Sequence, residues 1–356
     1  MDNQMFQLFT NAKKPIEKYL RDFLSKKQTE LGEINRWGKD LMTRFSDFTS
    51  QGKMIRGSLV VLSYEMFKEE SPPWVTQTAA AMELIHSSLL IHDDIMDKDA
   101  FRRGVKTLFH QYREMGEKEN LANATHFGAS LGICAGDIGF FLAFEILANL
   151  NTEENIKQNI VSLWSKELVT VGLAQMQDMY FSSTDTHVDE KKIIDMYRYK
   201  TARYTFSIPL MTGAIAAGQD HTTVSQLEKL GEYLGVIFQI KDDELGLFGT
   251  ESETGKPVGS DIKEKKKTLY ALYLSELTDN KLRKKVSKIY GHKEVSVSDL
   301  QCLRDIAERT GIIQRIEGKV SALKEKAQPL ITALKVPELS KNMLRRILAY
   351  NLERTK

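Results

Sequence analysis

Between Pro73 and Pro209 the chain contains no proline, and apolar residues recur there at intervals of three and four. Ile85, Leu89, His92 and Met96 make one such face. Proline breaks helices because its ring crowds the carbonyl four residues back and it has no N–H to donate. A long proline-free run with a helical period therefore restricts the chain to a largely helical fold. Strict alternation never lasts beyond a few residues, and Val, Ile and Thr do not cluster between turn signals as strands require. The expectation is all-α from end to end.

Breakers divide the helices. Ser71-Pro72-Pro73 closes one and Pro73 can open the next. Asp99 to Lys106 combines a basic cluster with Gly104, residues 181–189 read as a polar loop, and GTESETGKPVGS at 249–260 is the strongest non-helical segment. The C-terminal region is Lys-, Glu- and Leu-rich amphipathic helix. No segment has the composition of a flexible linker, so one helical domain over residues 1–356 is expected.

With 42% hydrophobic residues there is material for a large core. The 50 Lys and Arg against 48 Asp and Glu leave a formal charge of +2, which argues against nucleic acid or anionic membrane as a partner. Two cysteines exclude a disulfide scaffold and suit a reducing compartment. The N-terminus lacks the basic-then-apolar layout of a signal peptide. The most apolar stretch, residues 131–150, is interrupted by Asp137 and Glu145 and reads as a buried helix, not a transmembrane segment. A soluble cytoplasmic protein is expected.

The chemistry concentrates in LIHSSLLIHDDIMDKDAFRRG, residues 84–104. Asp93 and Asp97 are four apart and share a helix face, about 6 Å apart along the axis. Two carboxylates so placed can bracket hard cations whose shells are completed by phosphate oxygens. A run of acids favoured by the helix dipole is the plainer reading, but these acids follow eight residues of mostly apolar helix, at the end where the dipole opposes them. Adjacent acids below an apolar run are costly unless a cation joins them.

GVIFQIKDDELGLFG, residues 235–249, repeats the arrangement with Asp242-Asp243. Each pair is followed by cations with glycine: Arg102-Arg103-Gly104 after the first and Gly255-Lys256-Pro257 after the second. Metal ions and cations together suit a polyphosphate. Gly52-Lys53-Met54-Ile55-Arg56 adds two cations on one helix face, and Lys200-Thr201 sits in an otherwise apolar helix. Taken singly, Lys53 or Arg56 would be a solvated surface charge and His86 a satisfied core histidine.

Together these segments resemble the trans-prenyltransferases, the polyprenyl diphosphate synthase family. Asp93-Asp94-Ile95-Met96-Asp97 is similar to the family's first aspartate-rich motif, DDxxD. The likeness extends in family order to Gly52-Lys53-x-x-Arg56, Arg102-Arg103-Gly104, Lys200-Thr201 and Phe238-Gln239-x-x-Asp242-Asp243. It continues through Gly255-Lys256-Pro257-x-Gly259-x-Asp261-Ile262 and Lys266-Lys267-Thr268.

The resemblance implies the isoprenoid synthase fold, a helical bundle around a deep central cavity, usually as a homodimer. It implies head-to-tail condensation of isopentenyl diphosphate with an allylic diphosphate. Three magnesium ions, replaceable by manganese, would be held by Asp93, Asp97 and Asp242, with Asp94 and Asp243 as supporting acids. Arg102, Lys200 and Lys256 would hold the allylic diphosphate, and Lys53, Arg56, His86 and Arg103 the isopentenyl diphosphate. Thr201 and Gln239 would line the reacting end, and Lys266 would add charge near the closing loop.

The chain departs from the family pattern at Gly246, where a third aspartate is usual, and at Lys265, where glycine is common. Product length is expected to depend on Ser88, Leu89, Ile85 and Met82, on the helix leading to Asp93. In the family an aromatic five positions before the motif goes with shorter products. The small Ser88 there predicts C20, the geranylgeranyl length, or somewhat longer, with Ile85 and Met82 as stops and Ser88→Phe shortening the product. Ser88 bonding only its own backbone is the plainer alternative.

Three other readings stand beside this one. A helical HD-type metal phosphohydrolase would use His86, His92, His110 and His126, but it leaves the second acidic pair without a role. A cyclising terpene synthase needs Ser or Thr and Glu at positions occupied here by Gly246 and Thr250. A non-catalytic subunit of a heteromeric synthase would tend to lose the aspartates and cations that this chain keeps.

Overall fold

The computed structural model describes residues 3–250, 259–290, 292 and 295–353, and of residues 3–8 the backbone alone. The order is α1 (Asn3–Gly32), α2 (Arg36–Ser50), α3 (Ile55–Glu65), α4 (Pro73–Met96), β1 (Phe101–Arg102), β2 (Val105–Lys106), α5 (Leu108–Lys118), α6 (Ala124–Ala148), α7 (Glu154–Ser183) and α8 (Glu190–Met196). A π-helix (Tyr197–Ser207) runs into α9 (Ile208–Ala216) and α10 (His221–Phe248). Then come α11 (Ser260–Lys263), α12 (Leu269–Ser275), α13 (Asn280–Ile289), α14 (Val297–Arg309), α15 (Ile312–Ala333) and α16 (Glu338–Leu352).

The chain groups into two compact units. One comprises Met1–Leu163 with Pro209–Val224, the other Trp164–Ile208 with Ser225–Lys356.

In the first unit α6 packs on α4 and α5. Gly128, Gly132, Gly136 and Gly139 recur at helical spacing on the contacting face of α6. A Cβ at Gly136 would run into the His92 ring, and one at Gly139 into Ser88 and Phe45. Glycine is what lets the backbones approach this closely. The apolar helix anticipated at 131–150 is not buried all round. Among the described residues α6 is the one helix long and apolar enough to cross a bilayer, and 44% of its most apolar window is buried. Its packing leaves Ile133 and Phe141 exposed.

Among the described residues the one pair of strands is the hairpin Phe101–Lys106, where Phe101 pairs with Lys106 and Arg102 with Val105. Arg103 and Gly104, at φ 54° and 79°, form the two-residue turn, with both φ positive as tight hairpins favour. Strands of two residues are too short to leave alternation in the sequence.

In the second unit the helix carrying Lys200-Thr201 is a π-helix, and Ile208 N–H bonds Arg203 O at its end. Pro209 follows directly, and its ring disfavours α-geometry at the carbonyl four residues back, which a wider turn relieves. Arg203 pins this segment with ion pairs of 2.6, 2.6 and 2.5 Å to Glu167 of α7 and to Glu228 and Glu232 of α10. Arg304 closes α10 by donating to the carbonyls of Leu247 (2.7 Å) and Gly249 (3.2 Å).

Candidate active site

In the first unit α4 delivers the acids. Asp97 caps it, its N–H on Asp93 O at 2.8 Å. Asp94 is buried, while Asp93 and Asp97 are partly exposed on the open side. Arg102, from the hairpin, donates to Asp94 Oδ1 at 2.6 Å and to Asp93 Oδ2 at 3.3 Å. Burial alone would lower the Arg102 pKa, but Asp94 and Asp93 outweigh it and hold the guanidinium above its usual range.

Two turns back from Asp93 on the same helix, His86 Nε2 lies 3.1 Å from Arg56 Nη1. Burial first, then Arg56, Arg103 and Arg102, push the His86 pKa well below its ordinary value, so the ring is neutral and Nε2 can accept. Arg103 is exposed, its guanidinium reaches Gly52, and its φ of 54° is a conformation side chains seldom adopt. Its pKa is lowered by burial and by Arg102. Buried Glu83 accepts Gly57 N–H at 2.7 Å, tying the start of α3 to α4. The result is a cluster of cations on the same helix as the partly exposed Asp93 and Asp97, two turns before them.

In the second unit Asp242 is exposed and Asp243 buried. Tyr197 OH donates to Asp243 Oδ2, and Gln239 Nε2 donates to Oδ1 at 2.7 Å. Thr201 Oγ1 donates to Gln239 Oε1 at 2.7 Å, and Leu269 N–H donates to Tyr197 OH at 3.0 Å. One network thus joins the π-helix, α10 and the first residue of α12. Burial, then the charge of Asp261, raise the Asp243 pKa well above the carboxylate range, against the smaller opposing pull of Tyr197 and Gln239.

Lys200 and Lys266 both donate to Asp178, at 2.5 and 3.3 Å. Burial would raise the Asp178 pKa, but the two lysines outweigh it and hold it below the usual range.

The pattern of the polyprenyl synthetase family matches residues 39–307. A geranylgeranyl diphosphate synthase of Sulfolobus acidocaldarius is 34% identical over 266 residues, 74% of each chain. A geranylfarnesyl diphosphate synthase of Aeropyrum pernix is 29% identical over 314 residues, 86% of this chain and 91% of that one. The crystal structure of a geranylgeranyl pyrophosphate synthase from Corynebacterium glutamicum, complexed with isoprenyl diphosphate and magnesium, superposes with a TM-score of 0.89 at 27% identity, covering 96% and 99% of the two chains. The chain belongs to the polyprenyl synthetase family. It is a prenyltransferase with the all-α isoprenoid synthase fold.

For a member of this family the placement of the anticipated residues is informative. Arg56, His86 and Arg103 come together, and Lys53 is exposed in the turn that opens α3. Lys200, Thr201, Gln239, Asp243 and Lys266 belong to the two networks of the second unit. Lys256 lies outside the described residues. Ser88 is fully buried, donates to Leu84 O at 2.9 Å and packs on Gly139 and Phe45. A phenylalanine there would overpack the α4–α6 contact, at about 1–3 kcal/mol. Ile85 and Met82 are buried too, while Leu89 is partly accessible.

The histidines do not assemble into a metal set. His92 bonds Ile133 O at 3.1 Å and stacks near Phe140. Lys265, where the family commonly has glycine, adopts φ 56°, the left-handed region that glycine enters freely.

Asp178 and Tyr197 were not anticipated. Asp178 had a signal: with Val171, Ala174 and Phe181 it lies on the buried stripe of α7, where a carboxylate requires partners. Tyr197 had none, since a tyrosine on a buried face reads as core.

Proposed function

We propose that this chain condenses isopentenyl diphosphate head-to-tail with an allylic diphosphate, with magnesium, to give a trans-prenyl diphosphate of C20 or somewhat longer. The observation that carries the reading is the cluster of Arg56, His86 and Arg103 two helical turns before Asp93, and, in the second unit, Lys200 and Lys266 gathered on Asp178.

The donor set suits magnesium held through substrate. Among the described residues no group of three or more His, Cys, Asp or Glu side chains could hold a metal ion by itself. Magnesium is commonly bound by one or two carboxylates with phosphate oxygens and water completing the shell. Asp93, Asp97 and Asp242 would hold it in that way. When bound, it would stabilise the negative charge that grows on the departing diphosphate.

The chain's own residues do the rest. Arg102, Lys200 and Lys256 hold the allylic diphosphate, and Lys53, Arg56, His86 and Arg103 the isopentenyl diphosphate. Cations already fixed in place stabilise leaving-group charge without reorganising. Gln239 orients the Thr201 hydroxyl, whose oxygen, with the Lys200 carbonyl, offers partial negative charge to the allylic cation. Apolar α4 side chains keep water from that cation. The departed diphosphate is the proton acceptor.

The growing chain passes Leu89, with Ile85 and Met82 as deeper stops. Incubation with labelled isopentenyl diphosphate and each allylic primer, with and without EDTA, followed by reversed-phase sizing, tests the whole reading. Extension only with magnesium, to C20 or beyond, is expected. No extension with any primer would overturn the reaction, and a stop at C15 would overturn the length. Leu89→Phe is expected to shorten the product.

The homodimer belongs to the same proposal. Val169, Leu173, Met176 and Tyr180 recur at four, three and four along α7, each between 58% and 69% exposed. So continuous an apolar stripe suits a second copy. Light scattering of the wild type and of Leu173→Glu tests it, with dissociation of the variant expected.

A further inference from the structure

A cavity of about 440 Å³ lies in the second unit, between the α7–α8 link, the Lys265–Lys267 segment and helices α12 and α13. That volume is typical of small-molecule sites, about 300–1,000 Å³. Among the described residues, none assigned above to the metal or to the two substrate diphosphates borders it. Val188, Ile193, Leu272 and Val286 give it a buried aliphatic wall. The other wall is cationic, with Lys265, Lys266 and Lys267 in succession and Arg283 from α13.

Local structure holds these groups in place. Lys265 takes φ 56°, and Thr268 caps α12 by accepting Ala271 N–H at 3.1 Å, so the lysines sit between a fixed turn and a capped helix. On α13, Arg283 and Val286 are three apart and share the face that meets the cavity. Two of the four cations are paired, Lys265 with exposed Asp185 at 3.3 Å and Lys266 with Asp178 at 3.3 Å. The other two are not. Among the described residues neither Lys267 nor Arg283 has a carboxylate partner, and Arg283 donates to two neutral oxygens, Leu277 O at 3.5 Å and Asn280 Oδ1. Asp185 is the one carboxylate on the described border of the cavity, so that border carries a surplus of positive charge.

An anion with no apolar part would leave the aliphatic wall wetted, and a hydrocarbon would leave the two cations without a counter-ion. Nor does that wall carry the polar groups that read a nucleobase. We propose that this cavity is an additional binding site for a phosphorylated aliphatic chain, with the phosphate on Lys267 and Arg283 and the chain against Val188, Ile193, Leu272 and Val286. Lys266 borders the same cavity, so a bound phosphate competes with Asp178 for it and disturbs the carboxylate that Lys200 shares. Occupancy thereby lowers turnover. That last step rests on the proposed role of Lys200 and Lys266 in the reaction, whereas the binding does not.

The first test is binding without metal. The probe is n-octyl phosphate, which has no allylic group to react. Its affinity is measured by titration calorimetry in EDTA for the wild type, Arg283→Gln, Lys267→Gln and Arg56→Gln, with melting temperatures confirming that each variant is folded. Arg283→Gln and Lys267→Gln are each expected to weaken binding about tenfold, and Arg56→Gln to leave it unchanged. Inorganic phosphate is expected to bind at least about tenfold more weakly than the octyl ester, because it leaves the aliphatic wall uncovered. Binding that survives both cavity variants but is lost in Arg56→Gln would put the probe in the reaction site and overturn the proposal, as would no binding at all. Equal affinity for inorganic phosphate would overturn the aliphatic class of ligand.

The second test reads the link to the reaction. Turnover at saturating substrates is followed as n-octyl phosphate is added to the wild type and to Arg283→Gln. The wild-type kcat is expected to fall over the concentrations that fill the site in calorimetry, and the kcat of Arg283→Gln to hold over the same range. An equal fall in both would overturn the link through Lys266. A wild type without turnover would sink the proposed reaction, while the calorimetry in EDTA would still stand or fall on its own.

Discussion

Asp94 and Asp243 hold the same place in two similar acidic pairs, each the buried member after an exposed or half-exposed aspartate, yet their partners differ in kind. Asp94 meets a guanidinium, Arg102, at 2.6 Å. Asp243 meets a phenol and an amide, Tyr197 and Gln239. The first pair is thus held by charge, and the second by neutral hydrogen bonds that link it to the Lys200 helix and to Leu269. A repeated motif fixes where a carboxylate sits along a helix, while the neighbouring elements decide whether it is kept as an ion. The functional consequence is that the second pair is tied to the segment that carries Lys266, and the first to the hairpin that carries Arg103.

The accessible aspartates should behave alike in both regions, and this gives the largest effect. Asp97→Ala is expected to lower turnover about 10²–10³-fold with little change in melting temperature, since it removes leaving-group stabilisation rather than packing. Rate and thermal stability measured on one preparation check this, and near-normal turnover with magnesium present would sink it.

The contrast itself is tested next. Arg102→Leu takes the guanidinium away from buried Asp94, at about 3–5 kcal/mol of folding free energy. Tyr197→Phe removes neutral hydrogen bonds, at about 1–2 kcal/mol. Urea denaturation of the two variants would break the comparison if the order were reversed.

The two regions should also answer pH in opposite directions. The His86 pKa is depressed in the folded protein, so below about pH 6.5 the unfolded chain binds the extra proton and stability falls as pH falls. The Asp243 pKa is raised, so above about pH 4 the unfolded chain has already lost a proton that the folded state retains, and stability falls as pH rises. Unfolding free energies measured in EDTA from pH 4 to 8 should show each slope flattened in its own variant, His86→Gln and Asp243→Asn respectively. A slope unchanged by its variant would remove that group from the account.

The smallest effect is at Lys265. Glycine there relieves a left-handed side chain but loosens the unfolded chain, leaving a net gain of about 0.5–1 kcal/mol for Lys265→Gly. A lowered melting temperature would show that the exposed ion pair of Lys265 with Asp185 at 3.3 Å matters more than the strain.

The helices, the acidic helix ends and the main cations were legible in the sequence because each is local. A helical period repeats within four residues, and DDxxD places its carboxylates by helix geometry alone. The hairpin at Arg103 escaped because two residues cannot show alternation. Asp178 finds Lys200 across 22 residues and Tyr197 finds Asp243 across 46. Such partners are chosen by how helices pack, and no spacing rule encodes them.

Ser88 shows the same limit. Its spacing from Asp93 places it on α4, but only the close approach of Gly139 and Phe45 encloses it. The sequence by itself determined an all-α chain with two acidic helix ends and the cations that follow them. Tertiary structure alone decided which buried aspartate is ionically paired, which lysines share a carboxylate, and that Lys267 and Arg283 border one cavity. Those outcomes depend on contacts between elements, where burial sets the cost of every unpaired charge.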